Sequence, residues 1–84
     1  MFDLKDFNHF SVINNIVFGG AGFLGSHLID SLLQKGENVL CIDDLSSGDL
    51  DNLSFAMPNK RFMFLKHDIL EPIYLEKKIE KIWH

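Results

Sequence analysis

Apolar positions in this chain fall in short runs separated by polar breaks, and the period within the runs changes along the sequence. Val12 to Phe18 reads Val-Ile-Asn-Asn-Ile-Val-Phe, and its β-branched and aromatic second half suits a buried parallel strand at about 14–18. From Phe23 to Lys35 the period becomes helical. Leu24, Leu28 and Leu32 recur every four residues, Ile29 and Leu33 widen the stripe, and His27, Asp30, Ser31 and Gln34 fill the other face. Gly36 behind Lys35 is the combination expected at a helix end. A second apolar run, Asn38-Val39-Leu40-Cys41-Ile42, stops abruptly at Asp43-Asp44, and Leu45 to Gly48 reads as a loop. Asp49 to Met57 is expected to hold a short helix ended by Pro58. Arg61 to Lys66 is a third strand leading into His67-Asp68, Tyr74 to Lys78 a helical turn after the Glu71-Pro72 break, and Ile79 to Trp83 the start of a fourth strand. Ahead of all this, Phe2, Leu4, Phe7 and Phe10 give residues 1–12 the look of an N-terminal arm or short helix. Residues 13–84 then read as strand, helix, strand, connection, strand, connection, strand, the opening of a doubly wound α/β sheet with about four parallel strands.

Size and charge narrow what such a sheet can do. The chain has 84 residues, 46% of them apolar and 24% charged, which describes one small globular domain rather than a disordered segment. A chain of this size buries only about 60% of its unfolded surface, so modest stability is expected. With 8 basic against 12 acidic residues and a net charge of −4, no nucleic-acid partner is expected. Lys77, Lys78 and Lys81 alternate with Glu76 and Glu80 as on a solvated face. Cys41 is the single cysteine; it excludes an intramolecular disulfide and fits a reducing, cytoplasmic compartment. The charged start, Met1 to Asp6, has no signal-peptide core, and no apolar run approaches the roughly 18 residues of a membrane span, so a soluble protein without a membrane partner is expected. His9, His27, His67 and His84 show no metal-ligand spacing with Cys41. Phe55, Phe62 and Phe64 read as core rather than as a platform for stacking bases.

The chemistry concentrates between the first strand and the helix. Gly20-x-Gly22-x-x-Gly25 is the general dinucleotide fingerprint, and Gly19-x-x-Gly22-x-x-Gly25 is a variant with glycines three apart. A strand before it, a helix after it, and an acid at a second strand's end 18 residues past Gly25 give it the context that a bare motif lacks. Gly19 would permit positive φ, Gly22 would leave room for a pyrophosphate facing the helix N-terminus, and Gly25 would let the helix approach the first strand. Asp43 is placed to accept hydrogen bonds from the hydroxyls of an adenosine ribose, which selects NAD. NADP would set a phosphate against it, at a cost of up to about 4 kcal/mol per charge pair at ~4 Å and an effective dielectric near 20. Asp44 reads as the solvated member of the pair. These features predict the start of a Rossmann sheet that holds NAD; the alternative is a glycine-rich structural turn without a ligand, with Asp43 a solvated strand-end acid.

The stretches Gly-Gly-Ala-Gly-Phe-Leu-Gly-Ser-His-Leu, Cys-Ile-Asp-Asp-Leu-Ser-Ser-Gly and His-Asp-Ile resemble the N-terminal part of extended short-chain dehydrogenases/reductases, the NAD-dependent epimerases, dehydratases and decarboxylases of nucleotide sugars. Residues 62–84, with His67-Asp68-Ile69-Leu70-Glu71-Pro72-Ile73 and Ile82-Trp83-His84, look most similar to UDP-glucuronate decarboxylases and next to dTDP-glucose 4,6-dehydratases. The resemblance covers about residues 13–84. It implies that Gly19, Gly22, Phe23 and Leu24 line the pyrophosphate, with Gly25 completing the motif. It further implies that Asp43 holds the adenosine ribose with Asp44, Ser47 and Gly48 around it, that Asp68 meets the adenine amino group, and that Ile69 packs on the ring. For the longer relatives it implies transient oxidation at the sugar C4 by NAD, loss of the C5 carboxylate as CO2, and return of the hydride.

Three departures from the family pattern stand out. Phe18 occupies a position where the family usually has Thr or Ser, so a hydroxyl that braces the glycine turn is missing. Asp44 replaces the usual Asn. Beyond His84 the family continues into His-Leu-Ala, its catalytic Ser/Thr, its Tyr-x-x-x-Lys helix and its sugar-nucleotide domain, so the chain alone is expected to lack catalysis and a sugar site. Tyr74 and Lys78 do have Tyr-x-x-x-Lys spacing, but they precede the fourth strand, where the family has no catalytic pair. Two competing readings are a non-catalytic nucleotide-binding or interaction module and an inactive remnant that folds by pairing its exposed sheet edge or apolar face with another copy.

Overall fold

The computed structural model describes residues 12–68, 70–72 and 78–84. Strand β1 (Val12–Phe18) is followed by helix α1 (Phe23–Gln34), β2 (Val39–Asp43), a 3-10 segment (Leu50–Leu53), β3 (Phe62–Lys66) and β4 (Lys78–Trp83). The four strands form one sheet in the order β3-β2-β1-β4, with every neighbouring pair parallel. Parallel neighbours cannot be joined by a tight hairpin, so each connection must cross a face of the sheet, and α1 does so between β1 and β2. The chain starts in the middle, winds outward to β3, and returns to the other side of β1 with β4. That reversal beside β1 is where a doubly wound sheet opens its binding crevice. The fold is therefore the expected partial Rossmann arrangement.

The helix stripe packs as its spacing dictates from Leu28 onward, while Leu24, expected on the same stripe, is 81% exposed. Ile29 and Leu32 are buried against Val17, Val39, Cys41 and Phe62, with Leu28 and Leu33 alongside and Leu53 and Ala56 closing the cluster. A second buried cluster contains Ile13, Ile16, Leu40 and Ile42, flanked by Phe18, Met63, Leu65 and Ile79. All five residues of β2 are buried, as befits a strand with neighbours on both sides and apolar side chains on both faces. Helix α1 ends in a Schellman turn. Gly36 sits at φ +80°, its N–H donates to the Leu33 carbonyl at 3.0 Å, and the Glu37 N–H reaches the Leu32 carbonyl at 3.2 Å.

The element boundaries depart from the sequence expectations in three places. Strand β1 begins at Val12, two residues earlier than expected, and so adds Val12 and Ile13. The amides of Asn14 and Asn15 within it are used by the neighbouring elements. Asn14 and Asn38 exchange backbone and side-chain hydrogen bonds across the β1–β2 boundary, at 2.6 and 2.9 Å. The buried Asn15 carboxamide donates to Glu37 Oε1 at 2.9 Å and to the Asn38 carbonyl at 3.2 Å, and its Oδ1 accepts from Trp83 Nε1 at 3.0 Å. Second, the region expected to hold a short helix at 49–57 forms a 3-10 segment over Leu50–Leu53 and then turns. The Asp49 carboxylate caps it by accepting from the Asp51 N–H at 2.9 Å. Third, Lys78 is the first residue of β4 rather than the end of a helical turn. Tyr74, its expected partner, lies outside the described residues, as does the expected arm at 1–11.

Cys41 is buried in the middle of β2, directly beneath the glycine turn. Burial, reinforced by the Asp43 charge and only partly offset by a hydrogen bond from the Gly20 backbone, pushes its thiol from 9.0 up to about 12. Because the folded chain holds this proton more tightly than the unfolded chain, the resulting stability is complete below about pH 9 and is lost as pH rises toward about 12. We expect iodoacetamide at pH 8 to spare Cys41 in the native chain and to alkylate it in urea; equal rates in the two states would contradict this packing. Replacing the buried Asn15 with Leu removes the acceptor of the half-buried Trp83 N–H and should lower stability by about 1–3 kcal/mol. Urea unfolding followed by Trp83 fluorescence measures the change, and an unchanged midpoint would show that the Asn15 network contributes nothing.

Candidate functional site

The glycine turn is shaped by backbone contacts from both sides. Gly19 leaves β1 at φ +72°, a conformation that glycine adopts without strain, and its N–H donates to the Ile42 carbonyl at 2.9 Å. The Gly22 N–H closes the turn on the Gly19 carbonyl at 3.2 Å, and Gly22 is the N-cap of α1. Two glycines are required by packing. A Cβ at Gly25 would lie 2.8 Å from both the Gly19 carbonyl oxygen and the Gly20 Cα, and one at Gly20 would lie 2.6 Å from Cys41 Sγ and Ile29 Cδ1. Gly25 thus lets the helix press on the turn itself, rather than on the strand as its spacing suggested. At Gly22 the nearest atom would be 3.5 Å away, so this face stays open.

Helix α1 starts with no side-chain cap and no acidic residue in its first turn. Its first intrahelical bond is Ser26 N–H to the Gly22 carbonyl at 2.9 Å. The amides of Phe23, Leu24 and Gly25 therefore have no intrahelical acceptor, and the positive end of the helix dipole lies behind them. Phe23 and Leu24 are 69% and 81% exposed, so these residues flank the turn without covering it.

Asp43, at the end of β2, does more than its position in the sequence suggested. Its side chain is only 8% exposed. Oδ2 accepts from the Ala21 N–H at 2.9 Å, and Oδ1 accepts from the Leu45 N–H at 2.8 Å. The carboxylate thus ties the glycine turn to the loop that follows β2, and one lone pair on each oxygen remains for a ligand. Leu45 takes a left-handed φ of +64° within this arrangement. The brace that Phe18 cannot provide for want of a hydroxyl is supplied here, by Asp43 and by the Gly19–Ile42 bond. Phe18 itself turns to the β4 side and stacks on His84, with ring centroids 5.3 Å apart and planes 10° from parallel. Asp44 is exposed, and its carboxyl is held below the usual carboxylate range mainly by hydrogen bonds from the Ser46 backbone and side chain, with Lys66 adding a smaller attraction.

Two open clefts meet at the turn and share Gly19 and Gly22. The first, of about 230 Å³, runs along the β2 side past Asp43, Asp44, Ser47, Gly48 and His67. The second, of about 480 Å³, lies on the β4 side between the first turn of α1 and Trp83 with His84. Nine of the residues singled out from the sequence, Gly19, Gly22, Phe23, Leu24, Gly25, Asp43, Asp44, Ser47 and Gly48, line one or both clefts. Asp68 stands just outside the first, exposed, with Oδ1 accepting from the Leu70 N–H at 2.9 Å; the wall there is His67. Ile69 lies outside the described residues. Sequence reasoning assigned no site role to His67 or Ser46, which also line the first cleft, nor to Asn52, whose side chain reaches the Ala21 carbonyl at 2.8 Å. Among the described residues, no three His, Cys, Asp or Glu side chains gather as metal ligands, and no helix is long and apolar enough to cross a membrane.

The fold recurs in known proteins. The family model described as GDP-mannose 4,6 dehydratase matches residues 16–83. UDP-glucuronic acid decarboxylase 1 of Arabidopsis thaliana is 45% identical over 69 residues, which is 82% of this chain and 15% of that protein. The enzyme of the same name from Danio rerio is 36% identical over 69 residues, 82% of this chain and 16% of that protein. Among solved structures, dTDP-glucose 4,6-dehydratase from Bacillus anthracis in complex with NAD superposes with a TM-score of 0.64 at 33% identity, covering 69% of this chain and 20% of that one. UDP-glucose 4-epimerase from Thermus thermophilus, also complexed with NAD, gives a TM-score of 0.55 at 36% identity, over 66% of this chain and 16% of that one. The chain therefore spans no more than a fifth of the length of each of these relatives. A single family model covering the sheet from β1 to β4 assigns the chain: it belongs to the GDP-mannose 4,6-dehydratase family of extended short-chain dehydrogenases/reductases.

Proposed function

We propose that this chain grips NAD across the glycine turn, as part of a nucleotide-sugar enzyme resembling UDP-glucuronate decarboxylase. One observation carries the reading: a buried carboxylate and an uncapped helix N-terminus stand on either side of the open face at Gly22. A dinucleotide matches that polarity. Its neutral ribose hydroxyls donate to Asp43, and its pyrophosphate lies against the Phe23 and Leu24 amides and the helix dipole. Reversing the ligand would bring phosphate against carboxylate. Ser47 and Gly48 border the ribose end, and the rest of the cofactor extends toward the cleft beside Trp83 and His84. Asp68 and Ile69 are assigned to the adenine, on the strength of the family resemblance.

NAD, when bound, supplies a reversible hydride acceptor. The site residues of this chain hold it, and none of them is assigned a catalytic role. The decarboxylase-like assignment is supported by relatives of that name at 36–45% identity. On this reading, in which the grip is the chain's contribution, the 84 residues alone are expected to release no CO2 from UDP-glucuronate with NAD present.

Calorimetric titration tests the grip. We expect NAD to bind at millimolar concentration or below and NADP to bind more weakly. Asp43→Ala, checked for folding by circular dichroism, should weaken NAD by about tenfold or more, the loss of charge-assisted hydrogen bonds being about 1.5–3 kcal/mol. No heat at millimolar NAD from a folded sample would overturn the proposal, and an unaltered affinity in the variant would remove Asp43 from the site.

A further inference from the structure

The loop after β2 is fastened to the phosphate turn at a single residue. Ala21 is fully buried, and its peptide groups are held on both sides. Its N–H goes to Asp43 Oδ2 at 2.9 Å, and its carbonyl accepts from the Asp49 N–H at 3.1 Å and from Asn52 Nδ2 at 2.8 Å. Gly48 presses on the same residue: a Cβ there would lie 2.8 Å from Ala21 Cβ and 2.9 Å from its carbonyl carbon. The Ala21 carbonyl belongs to the same peptide plane as the Gly22 N–H, so fixing its direction fixes the N-cap of α1 and the path into the first-turn amides. Asp49 contributes only its backbone. Asn52 is the side chain that reaches across, from a residue 31 positions away, and its own N–H is anchored to the Asp49 carbonyl at 3.0 Å.

We propose that Asn52 is a positioning residue for the phosphate cradle: its amide sets the Ala21–Gly22 peptide plane and thereby the aim of the helix N-terminal N–H groups at a bound diphosphate. This rests on the preceding reading that the turn receives NAD. Asn52 lines neither of the two clefts at the turn, so we place its action on the ligand through the turn. Its influence should fall on the phosphate part of a ligand and largely spare the nucleoside part, because Asp43, at the ribose end, is fixed also by its place on β2 and by the Leu45 N–H.

The test compares wild type with Asn52→Ala and Asn52→Asp, the latter setting a carboxylate against the Ala21 carbonyl. Affinities for NAD, ADP and adenosine are measured by NMR titration of the whole chain, and amide exchange at Gly22 is followed without ligand. Asn52 is exposed, so both variants should fold, which melting curves will verify. We expect roughly three- to tenfold weaker NAD and ADP binding in Asn52→Ala, from the loss of one hydrogen bond, with Asn52→Asp at least as weak. Adenosine affinity should stay within twofold, and Gly22 exchange should quicken in both variants. Unchanged NAD affinity, or an equal loss for adenosine, would overturn the positioning role. A wild-type chain that binds none of the three would instead overturn the cofactor reading beneath it. Should a variant fail to fold, quickened Gly22 exchange in Asn52→Gln is the expected result and unaltered exchange the contradicting one.

Discussion

A carboxylate buried at the C-terminal end of a central strand needs donors, and in this chain the donors are the backbone of the loop that must be shaped for a ligand. Asp43 takes one N–H from the glycine turn and one from the loop after β2. Without those partners, placing the group where it is only 8% exposed would be costly. The turn gains as much as the carboxylate does. Its glycines have little backbone stiffness of their own, and it stays in one shape because Asp43, the Ile42 carbonyl and Asn52 hold it from outside. The site's polarity follows from the same contact, with negative charge fixed on the β2 side and the positive helix terminus facing it across Gly22.

That arrangement depends on the sheet. Order β3-β2-β1-β4 brings the ends of β2 and β4 to either side of the β1–α1 turn, which opens one cleft toward each. Helix α1 can lie low over the turn only because Gly20 and Gly25 carry no side chain where Cys41, Ile29 and the Gly19 carbonyl already sit. At the opposite end of the strands, the Asn14, Asn15 and Asn38 network fixes how β1, β2 and β4 line up. Strand alignment at one end thus determines cleft geometry at the other.

Most of the architecture was legible because short apolar and β-branched runs, a helical stripe with a period near four, and glycine at the breaks report directly on which segments are buried. Of the cleft-lining residues, Gly19, Gly22, Gly25 and Asp43 were legible for a related reason, since the fingerprint and the strand-end acid are local features with fixed spacing, whereas Phe23, Leu24, Asp44, Ser47 and Gly48 came only from the family resemblance. What stayed hidden depends on partners far along the chain. Nothing local to Asn14-Asn15 shows that Asn38 and Trp83 are their partners. Asn52 looks like any loop residue until its amide is found on Ala21. Asp43 could be read as a ribose ligand from its place at the strand end, yet its bracing of Ala21 leaves no trace in spacing. Residues 49–57 carry helical composition, but the segment tightens into a 3-10 turn where Leu53 and Ala56 must reach the core.

The central claim is that Asp43 and the α1 N-terminus act together on one ligand at the glycine turn. Mapping backbone amide shifts of the nitrogen-15-labelled chain during NAD addition tests this most directly. The account predicts that the largest shifts fall together on Ala21, Gly22, Phe23, Leu24 and Leu45, saturating at one common concentration. Shifts that leave these amides unmoved, or that gather instead around Phe55 and Asn59 beyond the far face of α1, would contradict it.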